Sequence, residues 1–211
     1  MSIRLEKKQQ TRQALMDAAL AWVDEGQDFS SISIREVAKR AGVVPTAFYR
    51  HFTDMEDVAL NLVDELSIAL RKLMREARQK SRITENMIAD SVNLYVANLL
   101  SHKALFRFMS QALSGGSATL RRAVRNEMQF FARELEADVR AMGLLSNLSA
   151  HMLQWVTQLV INTVAGITLE LLDIPDNQPS QKQELIEKTI CQVKIVLIGS
   201  VHWKEPTQPP Q

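Results

Sequence analysis

The chain has 211 residues, of which 46% are hydrophobic and 23% are charged, and its formal net charge is +1. The apolar fraction excludes wholesale disorder, and the near-neutral charge gives by itself no sign of nucleic-acid binding. With only seven glycines and six prolines, the sequence favours long helices over a many-stranded sheet. The single cysteine, Cys191, excludes an intramolecular disulfide framework, and we expect it to be a small buried side chain.

The sequence predicts a cytoplasmic protein without a membrane span. Residues 1–12 are charged and polar, which is not the pattern of a secretory signal. The longest apolar stretch, 152–172, is interrupted by polar side chains that would be costly in hydrocarbon. We therefore expect this stretch to form a buried helix.

Two helices and a tight turn are predicted between residues 15 and 42. Apolar residues with helical spacing mark the first helix, and Gly26 lies where that helix is expected to stop. Ser33 and Glu36 have the spacing of a capping box and begin the second helix. Gly42 then allows the left-handed turn that few other residues tolerate.

Pro45 begins a third, short helix with two different faces, which completes a helix-turn-helix arrangement. Its apolar face is expected to pack on the first two helices: Val44, Phe48 and Phe52. Its polar face is expected to point outward: Thr46, Tyr49 and Arg50. A solvated face is the simpler interpretation for a short helix. An exposed tyrosine beside Arg50 and His51 favours DNA contact instead, because these side chains can donate to phosphates and base edges.

Four further helices are predicted in the middle of the chain. Thr53 and Glu56 have capping-box spacing and begin a long fourth helix. Thr84 begins a fifth helix that is apolar nearly all round and is therefore expected to be central. A short sixth helix covers 105–113, and an apolar stripe over 120–142 marks the seventh.

Two more helices are predicted before the end of the chain. Ser146 or Asn147 caps the eighth helix, which ends before Pro175, and the segment 205–211 is expected to be a disordered tail. On the eighth helix, a polar stripe could face a ligand pocket, a dimer interface or solvent: Gln154, Gln158 and Asn162. On the ninth helix, five apolar residues are expected to face inward: Ile186, Ile190, Val193, Leu197 and Val201.

The sequence contains no catalytic or metal-binding constellation. No two of the four histidines are three or four residues apart, and none lies near the cysteine. A nucleophile elbow, an ATP phosphate loop and a dinucleotide fingerprint are all missing from the sequence. We therefore predict that the protein is not an enzyme and uses no metal or cofactor.

The segment 33–43, SIREVAKRAGV, followed by 45–52, PTAFYRHF, resembles the N-terminal signature of TetR-family transcriptional repressors. This resemblance implies an all-α fold of about nine helices. It places a helix-turn-helix DNA-binding domain at 1–53 and a ligand-binding and dimerisation domain at 54–204. The last two helices are expected to form the interface of a homodimer.

The resemblance also assigns DNA contacts within the first domain. Arg35 and Arg50 are the expected base readers, and Ala47 lies where a thymine methyl group could pack. The full set of expected DNA-binding residues is Lys8, Thr11, Ser33, Arg35, Thr46, Ala47, Tyr49, Arg50 and His51. The expected partner is double-stranded DNA with a palindromic operator, read by the two recognition helices of the dimer.

Further segments are similar to the FabR/DesT-type repressors of unsaturated fatty-acid synthesis, namely 51–56, 63–65, 73–79, 106–107 and 114–117. This similarity implies a long-chain acyl thioester as ligand, either acyl-CoA or an acyl carrier protein. The candidate ligand-binding residues are apolar side chains of the fourth to eighth helices: Leu66, Leu70, Tyr95, Leu99, Phe106, Met109, Met128, Phe131 and Trp155.

Two alternatives remain open from the sequence. The first is a TetR-type repressor of an efflux operon, induced by a lipophilic drug; acidic side chains lining the pocket would favour it. The second is a lipid-binding module that has kept its helix-turn-helix only as a scaffold.

Overall fold

The computed structural model describes residues 3–80 and 86–204. This part of the chain contains nine α-helices, one short 3-10 helix at Phe29–Ser31, and no strand, which confirms the predicted all-α fold. The helices are α1 Ile3–Asp24, α2 Ile34–Arg40, α3 Pro45–Phe48, α4 Met55–Lys80, α5 Met87–Ser101, α6 Lys103–Ser114, α7 Ala118–Ala141, α8 Ala150–Asp173 and α9 Pro179–Val201. The predicted start of the fifth helix at Thr84 and the predicted tail 205–211 lie outside the described residues.

Contacts divide the chain into two compact units. The first unit runs to Leu70 and also contains Leu99–Arg125, so that α6 and the start of α7 belong with the N-terminal helices. The second contains Arg71–Asn98 and the chain from Asn126 onwards. This division by contacts does not test a functional boundary at residue 53, which stays a prediction.

The helix-turn-helix forms as the sequence predicts. The hydroxyl of Ser33 accepts a hydrogen bond from the backbone N–H of Glu36, and the Glu36 carboxylate accepts one from the Ser33 N–H at 2.8 Å, which completes the capping box. After α2, Gly42 adopts φ +71°. The N–H of Val43 then reaches the carbonyl of Ala38 at 2.9 Å, which gives the helix end the bonding of a Schellman motif.

The apolar face of α3 is predicted correctly at two of three positions. Phe48 and Phe52 are buried in the core of the first unit. The prediction for Val44 is wrong, because this residue is the N-cap of α3 and is 64% exposed. An N-cap has extended rather than helical dihedral angles, so its side chain does not follow the helical face that the spacing assigns to it.

The predicted caps of α4 and α8 are displaced along the chain. Asp54, and not Thr53, accepts from the N–H three residues on, that of Asp57, at 2.8 Å. Ser149, and not Ser146 or Asn147, caps α8 by accepting from the N–H of Met152 at 3.2 Å. In each region several polar residues can cap a helix, so the sequence gives candidates and the backbone geometry selects one.

Asn147 instead binds the C-terminal end of α9. Its amide nitrogen donates to the carbonyl of Ser200 at 3.0 Å and to that of Val201 at 3.2 Å. The last carbonyls of a helix have no partner within the helix. Asn147 therefore stabilises the end of α9.

The interior of the second unit contains a buried polar pair. The hydroxyl groups of Tyr95 on α5 and Thr168 on α8 are 2.6 Å apart and share a hydrogen bond. Burial raises the pKa of Tyr95 to about 12, so that its phenol stays neutral. The burial of Tyr95, Val92, Val96 and Leu99 agrees with the prediction that α5 is central.

The inward face of α9 is predicted correctly for most of its length. Ile186 and Val193 are buried, and Ile190 and Leu197 are half-buried. The prediction is wrong for Val201, which is exposed at the last turn of the helix.

Cys191 is also exposed, so the prediction of a buried cysteine is wrong as well. Its position on α9 lies off the stripe that packs on α8, and a preference of cysteine for the interior does not indicate which side of a helix is covered.

Helix α8 has two contrasting sides. Its inner side is buried, while its outer side exposes large apolar residues, so the prediction of a buried helix holds for one side only. By length and composition α8 could cross a membrane, with 39% of its apolar window buried. A core helix of a soluble protein passes the same test, so this is weak evidence for a span.

Candidate nucleic-acid interface

The face of α3 opposite the core carries the predicted DNA-contacting residues. Phe48 is fully buried and meets the ring of Tyr49 edge-on, with ring centroids 5.7 Å apart. Tyr49 itself is 62% exposed, and Thr46 and Arg50 are exposed beside it in sequence. The buried ring of Phe48 therefore supports the exposed ring of Tyr49, and the polar side of α3 is accessible to another molecule.

Two further predicted residues lie at the start of α2. Arg35 is exposed, whereas the hydroxyl of Ser33 is engaged in the cap and donates to the Glu36 carboxylate at 2.6 Å. These hydrogen bonds lower the pKa of Glu36, which keeps the cap acid ionised. Ala47, in contrast, is half-buried within α3.

Helix α1 contributes the predicted residues Lys8 and Thr11. Lys8 is exposed, and the hydroxyl of Thr11 donates to the carbonyl of Lys7 on its own helix at 3.0 Å. The structure therefore leaves Lys8 available as a cation, while the hydroxyl proton of Thr11 already has a partner on its own helix. A phosphate contact by Thr11 would have to replace that bond.

His51 follows α3 in an electropositive setting. Burial lowers the pKa of its imidazole, and the positive charges of Lys8, Arg12 and Arg50 lower this pKa further. Its Nδ1 atom is buried and has no hydrogen-bond partner within the described residues. These cations of α1 and of the segment after α3 therefore act on one imidazole, which is neutral at pH 7 in the free protein.

Arg12 has a structural role that the sequence does not reveal. Its guanidinium lies 5.1 Å from the centre of the Phe52 ring, donates to the side chain of Asn61 and approaches Glu65 at 3.9 Å. It therefore links α1 both to the segment after α3 and to α4. No signal in the sequence connects Arg12 to partners 40 to 53 positions away, so this residue is missed by sequence reasoning.

Arg40 is likewise held by neighbours. Its Nη1 atom donates to Glu25 at 3.0 Å, and its guanidinium lies 4.7 Å from the centre of the Trp22 ring. Among the residues that the structure describes, Arg35 and Arg50 have no ion pair. Arg40 therefore contributes to packing, whereas Arg35 and Arg50 are available to a partner.

A second exposed surface, of different chemistry, lies on the packed pair α8 and α9. We call it the C-terminal apolar face, and its members are Trp155, Leu159, Leu169, Ile195, Ile198, Val201 and Trp203. An open groove of about 510 Å³ is lined by residues of both helices and has mixed chemistry, with Glu170 and Lys188 beside Ile195. Large apolar patches of this kind on a soluble protein mark interaction surfaces.

The polar stripe of α8 accompanies this face. Gln158 donates to the side-chain oxygen of Asn162 at 3.0 Å, and Gln154 and Asn162 are exposed. Trp155, predicted as a ligand contact, is 57% exposed here, with its ring 4.3 Å from that of His151. Its position gives no support to a role in an interior pocket.

The other candidate ligand residues are distributed over both units. Five are buried: Leu66, Leu70, Tyr95, Leu99 and Phe106. Three are half-buried: Met109, Met128 and Phe131. Their role in ligand binding stays a prediction. Among the described residues, no group of three or more histidine, cysteine or acidic side chains is arranged to hold a metal ion.

Residues 15–62 match the model of the bacterial regulatory proteins of the tetR family. This segment contains most of α1, the complete helix-turn-helix and the start of α4. The N-terminal part of this chain therefore has the helix-turn-helix region of the TetR family. TetR-family regulators bind operator DNA and small-molecule ligands, dimerise, and are transcription factors rather than enzymes.

Solved structures share the TetR fold over nearly the whole chain. A Syntrophomonas wolfei protein assigned to the TetR family has a TM-score of 0.73 at 18% identity, over 90% of this chain and 96% of that one. FadR from Bacillus subtilis, solved with stearoyl-CoA, has a TM-score of 0.70 at 17% identity, over 89% and 98%. SmeT, solved with triclosan, has a TM-score of 0.64 at 16% identity, over 95% and 99%. At these identities the likeness establishes the fold.

Proposed function

We propose that this TetR-family regulator is a homodimeric repressor of genes for unsaturated fatty-acid synthesis, and that it responds to long-chain acyl thioesters. The observation that carries the DNA-binding part is the exposed face of α3, with Thr46, Tyr49 and Arg50 outside and Phe48 buried behind them. A repressor needs such a helix, rigidly supported on one side and polar on the other, to enter the major groove.

The DNA contacts fall into two chemical groups. Arg35 and Arg50 can make paired hydrogen bonds to a guanine edge, and Ala47 can pack on a thymine methyl group. Five other residues have donors for phosphate oxygens: Lys8, Thr11, Thr46, Tyr49 and His51. Ser33 caps α2 and adds a possible phosphate contact at the same helix start.

The C-terminal apolar face supports dimerisation through α8 and α9. Ile195 and Ile198 are 64% and 61% exposed in the single chain, on the same helix as the exposed Cys191. A two-fold axis would place each of these residues against the same face of the partner, so that every apolar contact is made twice. The dimer would then present two recognition helices to half-sites about 34–36 Å apart.

Two observations support an acyl thioester as the ligand. Segments of this chain are similar to the FabR/DesT-type repressors, and the FadR neighbour was solved with stearoyl-CoA. The side chains of the candidate set are apolar, which suits an acyl chain, and Leu99 and Phe106 are buried. A ligand that binds two arrangements of the dimer with different affinity would shift the population between them and so change DNA binding.

Native mass spectrometry of the purified chain tests this proposal. The protein is measured alone and with an equimolar panel of saturated and unsaturated long-chain acyl-CoAs, with CoA alone as control. We expect a dimer that takes up acyl-CoA selectively and ignores CoA. A dimer that binds none of the panel would contradict the lipid ligand and leave the TetR assignment intact.

A repressor of an efflux operon is the second candidate, and the likeness to SmeT bound to triclosan favours it. The same instrument distinguishes the two candidates when triclosan replaces the acyl-CoA panel. Binding of triclosan without binding of any acyl-CoA would support the efflux function.

A further inference from the structure

A cavity of about 280 Å³ lies within the first unit, apart from the candidate ligand residues of the second unit. Its walls come from the 3-10 helix, the first turns of α4, the end of α6 and the start of α7. The apolar part of its lining is formed by Phe29, Met55, Ala59, Phe108, Ala112 and Leu120. Apolar surface predominates, as in the binding sites of small organic molecules.

Several contacts hold the walls of the cavity in place. The rings of Phe29 and Phe108 are 4.8 Å apart at their centroids and tilted by 59°. The side chain of Gln111 accepts from the N–H of Phe29 at 3.2 Å and donates to the carbonyl of Gln27 at 3.3 Å. The site is therefore preformed, because α6 is bonded directly to the backbone of the turn that leads into the 3-10 helix.

The rim of the cavity is acidic. Oδ1 of Asp28 accepts from the N–H and the hydroxyl of Ser30 at 2.8 and 2.6 Å, which lowers the pKa of Asp28. Oε1 of Glu56 accepts from the hydroxyl of Ser117. These contacts use one oxygen of each carboxylate, and none of the lining residues is a lysine, arginine or histidine. The lining thus contains two carboxylates and no cation, while the guanidinium of Arg121 donates to the carbonyl of the lining residue Gly116.

We propose that this cavity binds a small arylalkylamine, with its ring against Phe29 and Phe108 and its ammonium group at Asp28 and Glu56. A cavity of about 150 Å³ is enough for benzene. The larger volume here accommodates a ring together with a short arm that carries the cation. Aromatic walls and a carboxylate rim are the two features that recognise such a molecule.

The cavity is lined by the chain segments that precede and follow the helix-turn-helix. Asp28 and Phe29 precede α2 in the chain, and Met55 and Glu56 form the first turn of α4, directly after the segment that follows α3. An occupant would therefore contact the chain before and after the DNA-reading helices. None of the candidate acyl-thioester residues lines this cavity, and the proposal does not depend on that ligand.

The test uses the full-length protein labelled with ¹³C at the methionine methyl groups. The probe is phenethylamine, and phenylacetate is the matched probe of opposite charge. We expect phenethylamine to shift the Met55 methyl resonance, assigned through Met55→Leu, and to leave Met128 and Met152 of the second unit unshifted. Phenylacetate should bind at least about tenfold more weakly, because the carboxylate rim repels it.

Two variants test whether the carboxylate of Glu56 contributes to phenethylamine binding. Glu56→Gln keeps the shape of the side chain and should weaken phenethylamine binding at least about fivefold by calorimetry. Asp64→Asn removes a carboxylate from an exposed position two turns further along α4 and should leave the affinity unchanged. Equal loss in both variants would overturn the assignment of Glu56.

The comparison of the two probes on the unmodified chain needs no substitution, so it decides the question even if Glu56→Gln fails to fold. Equal binding of phenylacetate and phenethylamine would overturn the proposal. So would an unshifted Met55 methyl at saturating phenethylamine. Failure of acyl-CoA binding would affect the proposed repressor function and not this site.

Discussion

The two exposed surfaces of this regulator differ in what lies behind them and in how the sequence encodes them. On α3, exposed polar residues are backed by the fully buried Phe48, and a short motif specifies both faces at once. On α8 and α9, the inner face is apolar, and the outer face leaves large apolar residues uncovered in the single chain beside a polar stripe. A polar partner such as DNA can therefore be inferred from residue chemistry. An apolar partner can be inferred only once the structure shows which apolar side chains remain exposed.

The largest effect is expected at the C-terminal apolar face, from Ile198→Glu. If this face is the dimer interface, the substitution buries an unpaired carboxylate in each of two symmetric copies, at a cost of several kcal/mol per ion. We expect dimer association to weaken by more than about a thousandfold. Sedimentation equilibrium measures the effect.

The matched control is Ile68→Glu, which makes the same exchange at a similarly exposed apolar residue of α4. This variant should remain dimeric. If Ile198→Glu also remains dimeric, the interface lies elsewhere and the contrast between the two surfaces loses its basis.

The support behind the polar surface is tested by Phe48→Ala. Phe48 is fully buried in the core of the first unit, so its truncation should lower the free energy of unfolding by about 3–5 kcal/mol. Urea unfolding followed by circular dichroism gives this value. Tyr49→Ala, one residue on and mostly exposed, should cost less than about 1 kcal/mol, and similar losses in both variants would contradict the two-faced description of α3.

A smaller effect is expected for base reading by Arg50. With an operator obtained by in vitro selection, Arg50→Ala should weaken specific binding by about 1–3 kcal/mol and relax one base preference. Fluorescence anisotropy on the selected and scrambled duplexes measures both properties. Equal losses on the two duplexes would mean that Arg50 contacts only phosphate.

Arg40→Ala is the matched control for Arg50. Because Arg40 pairs with Glu25 and stacks on Trp22, its loss should affect stability and leave the base preference unchanged. A changed preference in this variant would place Arg40 on the DNA as well.

The last effect expected is a pH dependence of DNA binding through His51. Its lowered pKa makes the free imidazole neutral at pH 7, and a nearby phosphate favours the charged form, so DNA binding takes up a proton. Affinity should therefore rise as the pH falls from about 8 to about 6, by at most about tenfold per pH unit for each subunit, and level off below the pKa of the free protein.

Anisotropy titrations across this pH range measure the slope. His51→Gln should flatten it, whereas His102→Gln, at an exposed position between α5 and α6, should retain it. An unchanged slope in His51→Gln would assign the proton to another group.

Local chemistry explains which parts of the fold the sequence predicts. The capping box of Ser33 and Glu36, the turn at Gly42 and the burial of Phe48 depend on residues within a few positions of one another, and all three are found. The caps of α4 and α8 are displaced because neighbouring polar residues have similar capping ability. Local patterns therefore identify elements more reliably than their boundaries.

Two errors on α9 have a common physical origin. Cys191 and Val201 are apolar in character and are predicted to face inward, yet both are exposed. A hydrophobic residue is expected to be buried, but the sequence does not indicate whether its own chain or a partner buries it. Arg12 and Arg40 are missed for a related reason, since their aromatic and acidic partners come from distant parts of the chain or from a different helix.

The separation of the two faces of α3 has a consequence for how this regulator could change its target. Thr46 and Arg50 are exposed, so exchanging them should alter stability by no more than about 0.5 kcal/mol. The core residue Phe48 stays in place while its exposed neighbours vary. New operator preferences could therefore arise by single substitutions in a lineage, without a compensating change in the interior.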